Sequence, residues 1–66
     1  MSAIKIIEVL GVSKKSWEDA ANEALTEAKK SVRHITGLEV IAQTAKVKDS
    51  EVAEYHATCK IAFKVD

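Results

Sequence analysis

The C-terminal part of the chain contains an unusually long alternation of apolar and polar residues. From residue 52 to residue 65 the pattern repeats every second position, which is the period of a β-strand. One face of the predicted strand carries Ala53, Tyr55, Ala57, Cys59, Ile61, Phe63 and Val65, and the other carries Glu54, His56, Thr58, Lys60, Ala62 and Lys64. The strand could span about 40 Å, whereas strands commonly have about 5–6 residues. The fold must therefore shield the apolar face of a sheet of this length from solvent.

The middle of the chain has the three-and-four spacing of an amphipathic helix. Its apolar stripe consists of Trp17, Ala20, Ala21, Ala24, Leu25, Ala28, Val32 and Ile35. Ser16 opens a capping box and is preferred over Ser13 as the N-cap, because two lysines would otherwise occupy the first turn, where the helix dipole disfavours positive charge. Gly37 is interpreted as the stop signal. The pattern therefore predicts a helix over residues 16–34, about 28 Å long.

Two further segments have strand composition. Residues 3–10, before Gly11, are rich in β-branched side chains and predict a first strand, and residues 38–47 predict a second. The polar residues 48–51 predict a four-residue hairpin loop between the second strand and the long strand. The sequence thus predicts an α+β fold of order β-α-β-β, with all 66 residues in one domain.

The chain is too small to stabilise itself easily. A domain of about 60 residues buries only about 60% of the surface that its unfolded chain exposes, and one cysteine, Cys59, cannot form an internal disulfide. One helix of about 28 Å also leaves part of so long a sheet uncovered. We therefore expect other copies of the chain to supply the missing cover, which means a homo-oligomer.

The charge balance excludes several classes of partner. Ten basic and ten acidic residues give zero formal net charge, which argues against a nucleic-acid-binding surface and against a polybasic membrane anchor. No apolar run approaches the roughly 20 residues of a membrane span. Residues 1–10 are interpreted as a strand rather than a signal peptide, because Glu8 interrupts the apolar run and no small-residue cleavage site follows. A cytoplasmic protein is expected.

Few residues suggest chemistry. Asp49, Glu51 and Glu54 cluster around the predicted hairpin, and carboxylate oxygens are ligands that calcium prefers, although the pattern matches no known calcium loop. Cys59 shares the apolar face of the long strand and is expected to be a buried small hydrophobe. Catalytic carboxylate pairs, nucleophile–base arrangements and phosphate loops are all lacking from the sequence. We therefore expect no enzymatic activity.

The order and length of these segments resemble the dodecin family. The resemblance rests on short motifs distributed along the chain: Gly11-Val12-Ser13, Ser16-Trp17-Glu18-Asp19-Ala20-Ala21, Leu38-Glu39-Val40, Glu54-Tyr55 and Lys60-Ile61-Ala62-Phe63. It implies an antiparallel three-stranded sheet partly wrapped around the helix. It also implies a hollow shell of twelve subunits, with a mass of about 86 kDa for twelve chains of 7.2 kDa.

The resemblance also implies a ligand. Members of this family typically bind flavins and store or buffer them, using a tryptophan that opens the second strand and stacks on the ring, and a glutamine in the third strand. Here Gly37 stands at the tryptophan position and His56 at the glutamine position. Thr44 and Lys46 lie near the implied ligand pocket. Lys46 could contact a flavin phosphate or form an ion pair with Glu51 or Glu54. Of these two roles, the ion pair is favoured.

Two functional hypotheses follow. The first is a dodecameric, non-enzymatic protein that binds a small molecule, for which riboflavin, FMN or FAD is the leading class and Gly37, Thr44, Lys46 and His56 are the contact residues. The second is a calcium-binding or purely structural shell without flavin, since dodecins that lack the tryptophan have been associated with calcium. Its candidate ligands are the three carboxylates near the hairpin.

Overall fold

The computed structural model describes residues 3–65. It contains strand β1 (Ala3–Ser13), helix α1 (Trp17–Lys29), strand β2 (Ile35–Lys48) and strand β3 (Glu51–Val65). The predicted order β-α-β-β is confirmed, as is the three-stranded antiparallel sheet. The interpretation of residues 1–10 as a strand holds from Ala3 onward, and Met1 and Ser2 lie outside the described residues.

The long strand β3 is the centre of the sheet. The strand order is β1-β3-β2, with β3 antiparallel to both neighbours. The alternation that predicted β3 decides which of its residues are buried, because Ala57, Cys59 and Ile61 on one face are fully inaccessible to solvent. Helix α1 covers this face, and the two predicted faces of the strand are confirmed.

Small residues allow the helix to lie close to the sheet. Ala20, Ala24 and Ala28 form the buried stripe of α1, and Ala20 and Ala24 pack against Ala57 and Cys59 of β3. A Cβ atom placed on Gly11 would lie only 1.8 Å from the carbonyl oxygen of Ala20. Because β1 continues to Ser13, the prediction that this strand ends before Gly11 is wrong. This glycine lies inside the strand, at the point where the backbone of α1 passes over it.

The start of the helix agrees with the sequence prediction. Ser16 is the N-cap, and its Oγ accepts a hydrogen bond of 3.0 Å from the backbone N–H of Asp19. Ser13, the rejected alternative, has a different role at the end of β1. Its Oγ donates to Asp19 Oδ2 at 2.7 Å and accepts from the backbone N–H of Lys15 at 2.9 Å. The two serines together hold the connection between β1 and α1.

The predicted end of the helix is wrong, because α1 stops at Lys29 rather than at residue 34. The last turn tightens, with the N–H of Ser31 bonded to the carbonyl of Ala28. The chain then reverses at His34, whose φ of 59° is left-handed. The His34 carbonyl accepts a hydrogen bond from the Lys64 N–H, which brings the chain alongside β3. Gly37 lies within β2 and does not stop the helix.

The hairpin between β2 and β3 is tighter than predicted. Lys48 pairs with Glu51, so only Asp49 and Ser50 form the turn, with left-handed φ values of 54° and 62°. A two-residue turn with positive φ at both positions has the twist that antiparallel strands need. The prediction of a four-residue loop over residues 48–51 is therefore wrong by one residue at each end.

The sheet is much longer than the helix. The molecule extends 52 Å along its long axis, whereas a 13-residue helix spans about 20 Å. β2 is exposed along nearly its whole length, and α1 packs mainly on β1 and β3. Within residues 3–65 no helix is long and apolar enough to cross a membrane.

Candidate functional site

The sheet face that points away from α1, here called the open face, carries the four predicted flavin contacts, Gly37, Thr44, Lys46 and His56. Cross-strand register places Val12, His56 and Thr44 in one row, and Ile6, Ala62 and Gly37 in another row nearer the other end of the sheet. Side chains directly opposite each other in antiparallel strands lie on the same face. The residues of each row are therefore neighbours.

An open depression of about 470 Å³ lies at the Gly37 end of this face. Its lining consists of Ile6, Gly37, Leu38, Glu39, Lys60 and Ala62. Room is available at Gly37 because a Cβ atom there would meet only the Ala62 methyl group, at 3.9 Å. The volume falls within the range of about 300–1,000 Å³ that is typical of small-molecule pockets.

The other predicted contact residues gather at the hairpin end of the open face. Thr44 lies opposite His56, and Lys46 lies opposite Glu54. A hydrogen bond of 3.1 Å joins His56 Nε2 to Glu54 Oε1. This bond, together with the charges of Lys46 and Lys14, holds the pKa of Glu54 below its ordinary value against the opposing effect of desolvation. The register places Lys46 opposite Glu54, as the favoured pairing of Lys46 with Glu51 or Glu54 allows, but among residues 3–65 Lys46 forms no ion pair with either carboxylate.

The four predicted flavin contacts therefore do not meet in one subunit. Gly37 is paired with Ala62 and Thr44 with His56, so the two rows are separated by six residues of β3. At about 3.3 Å per residue this separation is about 20 Å. A single aromatic ring system that touches Gly37 does not reach His56, Thr44 or Lys46 of the same chain.

The three candidate calcium ligands do not form a site within one subunit either. Glu51 lies at the hairpin opposite Lys48, and Glu54 is bonded to His56. Among residues 3–65, no three carboxylate, histidine or cysteine side chains come together in an arrangement that could hold a metal ion. A metal site at Asp49, Glu51 or Glu54 would need ligands from another copy of the chain.

Trp17 and Cys59 lie on the helix side of the sheet, as the sequence predicted. The Trp17 ring meets Tyr55 edge to face at a centroid distance of 4.8 Å, and its Nε1–H donates to the carbonyl of Thr44 at 2.8 Å. The tryptophan thus ties the start of α1 to β3 and β2, on the opposite face from the depression. Cys59 is fully buried, and this burial raises the pKa of its thiol.

Sequence reasoning missed the residues that border the depression. Glu39 and Lys60 both line it and lie directly opposite each other on β2 and β3, and Glu8 flanks Lys60 on β1. The signal was present, because Lys60 is on the polar face of β3. Pairing it with Glu39 required the register of β2, which contains three irregularities that the sequence pattern does not reveal.

Comparison with known proteins agrees with this architecture. A family model described as Dodecin matches residues 3–66. Calcium dodecin of Mycobacterium tuberculosis is 37% identical over 65 residues, which cover 98% of this chain and 92% of that relative. A crystal structure of that calcium dodecin, described as having a novel calcium-binding site, matches with a TM-score of 0.85 and 34% identity over 97% of this chain and 91% of the other.

A second solved structure is similar over the same range. Dodecin from Streptomyces coelicolor matches with a TM-score of 0.95 and 25% identity, covering 98% of this chain and 93% of that one. The family model spans nearly the whole chain, and a relative more than 30% identical covers almost all of it. The protein therefore belongs to the dodecin family.

Proposed function

We propose that this protein is a non-enzymatic, homo-oligomeric binding protein that takes up a planar small molecule, with a flavin as the leading ligand. The depression at Gly37 is the observation that carries the proposal. Its apolar side chains, Ile6 and Ala62, suit the face of an aromatic ring, and Glu39 and Lys60 supply polar groups at the side. A few polar groups in a mainly apolar pocket are typical of small-molecule sites.

The uncovered apolar surface supports the homo-oligomeric part of the proposal. Four large apolar side chains of β1 lie on the open face, where they are 42–54% exposed: Ile4, Ile6, Leu10 and Val12. We call them the β1 stripe. An exposed apolar stripe beside a long, open sheet favours association with further copies. The proposed state is the dodecamer that family membership suggests.

Association would also complete the pocket. The depression is open to solvent in one subunit, and the row of Thr44 and His56 lies about 20 Å away on the same face. We propose that a neighbouring subunit brings His56, Thr44 and Lys46 towards a ligand at Gly37. The missing tryptophan ring removes a stacking contribution of roughly 0.5–1.5 kcal/mol, so affinity for flavin is expected to be weaker than with the ring present.

Riboflavin fluorescence tests the proposal. Titration of riboflavin with the assembled protein should quench the fluorescence with saturation at micromolar protein. The Gly37→Trp variant should quench more strongly, because Gly37 has room for a side chain on its Cβ and a ring there would stack on the ligand. Gly37→Leu, which fills the same space without a flat ring, is the matched control.

The outcomes separate the alternatives. Saturable quenching by the natural protein supports flavin binding. Quenching only by Gly37→Trp would mean that the pocket geometry is present but this protein does not use it for flavin. No quenching by either protein would reject the depression as a flavin site.

Calcium binding is the second candidate, favoured by the 37% identity to a relative named calcium dodecin. Since no group of metal ligands forms within residues 3–65 of one chain, the site would be shared between subunits. Calcium bound to the assembly should raise its melting temperature by mass action, and a chelator should reverse the rise. Asp49→Asn and Glu51→Gln should reduce the shift. Equal melting curves with calcium, with magnesium and with chelator would reject this candidate.

A further inference from the structure

Two polar side chains of opposite hydrogen-bonding character lie side by side in the depression. Glu39 on β2 and Lys60 on β3 are directly opposite each other, and both line the depression. Opposed residues in antiparallel strands have Cβ atoms about 4.5–5.5 Å apart. Both side chains are exposed, and within residues 3–65 neither is joined to the other by an ion pair or hydrogen bond. Their head groups are therefore available to a ligand.

Lys60 and Glu39 together match one particular arrangement of hydrogen-bonding groups on a ligand. An ammonium group can only donate hydrogen bonds, and a carboxylate can only accept them. A donor beside an acceptor matches a ring edge on which a carbonyl group lies next to an N–H group, as in a lactam or a cyclic imide. The neighbouring apolar residues Ile6 and Ala62 suit the face of the same ring.

The surrounding charges favour a neutral polar edge over an anion. Lys60 has Glu39 opposite it on β2 and Glu8 opposite it on β1, so two carboxylates flank one ammonium group across the sheet. Lys64 lies beyond Ala62 and does not line the depression. A phosphate that approached Lys60 would also approach both carboxylates, and like charges repel at this range.

We infer that Glu39 and Lys60 recognise the lactam or imide edge of a planar aromatic ligand. Lys60 donates to the ring carbonyl and Glu39 accepts from the adjacent N–H. This inference rests on the proposed small-molecule function and deepens it. It places polar contacts with the ring on two residues of the depression, in addition to the His56 that a neighbouring subunit is proposed to bring to the ligand.

Binding of riboflavin and N3-methylriboflavin provides the test, because methylation removes the N–H of the ring edge and leaves its carbonyls. Fluorescence titrations would compare the natural protein with Glu39→Ala and Lys60→Met. Each substitution should weaken riboflavin binding about tenfold or more, as expected when a charge-assisted hydrogen bond is lost. Methylation should weaken binding to the natural protein but cause little further loss in Glu39→Ala, because that acceptor is already absent.

The hairpin offers a matched control on the same two strands. Lys48 and Glu51 are also directly opposite each other, but they lie outside the depression. Lys48→Met should leave riboflavin affinity unchanged. If Glu39→Ala alters the assembled mass in native mass spectrometry, Glu39→Leu replaces it, because leucine fills a similar space without an acceptor oxygen, and the same loss of riboflavin binding is expected.

The outcomes distinguish this inference from the proposed function. If the natural protein binds riboflavin but Glu39→Ala and Lys60→Met bind it equally well, another residue recognises the edge and the inference is wrong while the function stands. If FMN binds much more tightly than riboflavin, the charge argument is wrong. If the natural protein binds no riboflavin, the proposed function is rejected and the inference with it.

Discussion

Glu54 belongs to a group of interacting polar side chains at the hairpin end of the open face. Its carboxylate is hydrogen-bonded to His56 and lies near Lys46 and Lys14, and these interactions together outweigh desolvation and lower its pKa from the ordinary value of 4.5. An acid whose folded-state pKa is lowered stabilises the folded state above its unfolded pKa. This contribution is lost as the pH falls from about 4.5 through the lowered pKa.

The His56→Ala substitution should raise the pKa of Glu54 towards 4.5, because it removes the interaction that contributes most to the lowering. NMR titration of the Glu54 side-chain carboxyl measures this pKa directly. Lys48→Ala is the control, since Lys48 is not among the groups that affect Glu54. An unchanged Glu54 titration in His56→Ala would show that the 3.1 Å hydrogen bond does not form in solution.

At the scale of whole elements, the contact between α1 and β1 depends on a missing side chain. The helix backbone passes so close to Gly11 that an added Cβ atom would lie 2.8 Å from the Ala20 carbonyl carbon as well as 1.8 Å from its oxygen. Backbone atoms cannot rotate away as the end of a flexible side chain can. The close approach buries Ala20 and Ala24, whose side chains are small enough to allow it.

The two glycines of the chain therefore provide a matched experiment. Gly11→Ala should destabilise the protein by at least about 3 kcal/mol, the upper end of overpacking penalties, because α1 must move away from the sheet. Gly37→Ala should be neutral or stabilising by about 0.5–1 kcal/mol, because alanine loses less conformational entropy in a strand. Denaturant unfolding of both variants measures the difference. Equal losses of stability would contradict the close approach at Gly11.

At the end of α1, the three-and-four spacing of apolar residues was misleading about the length of the helix. Val32 and Ile35 continue the three-and-four spacing, and both are half-buried, but neither belongs to the helix. The backbone leaves the helix after Lys29 and returns along β3, with His34 in a left-handed conformation. Periodicity records which side chains are buried, and a turn can bury the same positions without continuing the helix.

At the scale of the whole molecule, a 52 Å chain is built around a core of small side chains. The buried residues include three alanines of α1, together with Ala57, Cys59 and Ile61 of β3. Many larger apolar residues remain exposed, including the four residues of the β1 stripe. Association would stabilise a small domain with this distribution, because many of its large apolar side chains remain exposed in one subunit.

A charge in the β1 stripe should disrupt the assembly. Leu10→Glu introduces a carboxylate at a position that is 52% exposed in one subunit and lies outside the depression. Burying that unpaired charge between subunits would cost several kcal/mol, so we expect smaller species in native mass spectrometry. Thr26→Glu, on the exposed side of α1, is the control and should leave the assembled mass unchanged. An intact assembly with Leu10→Glu would place the stripe outside the subunit interfaces.

The sequence by itself determined the order of the elements, the start of the helix and the two faces of β3. These features depend on local periodicity and on helix capping, and both are determined by residues that are close together in the sequence. The end of α1, the two-residue turn at Asp49 and Ser50, and the register of β2 depended on contacts between distant segments. Only the tertiary structure brought Glu39, Lys60 and Ala62 together beside Gly37, because cross-strand neighbours are set by register, and bulges shift register without a clear local signal.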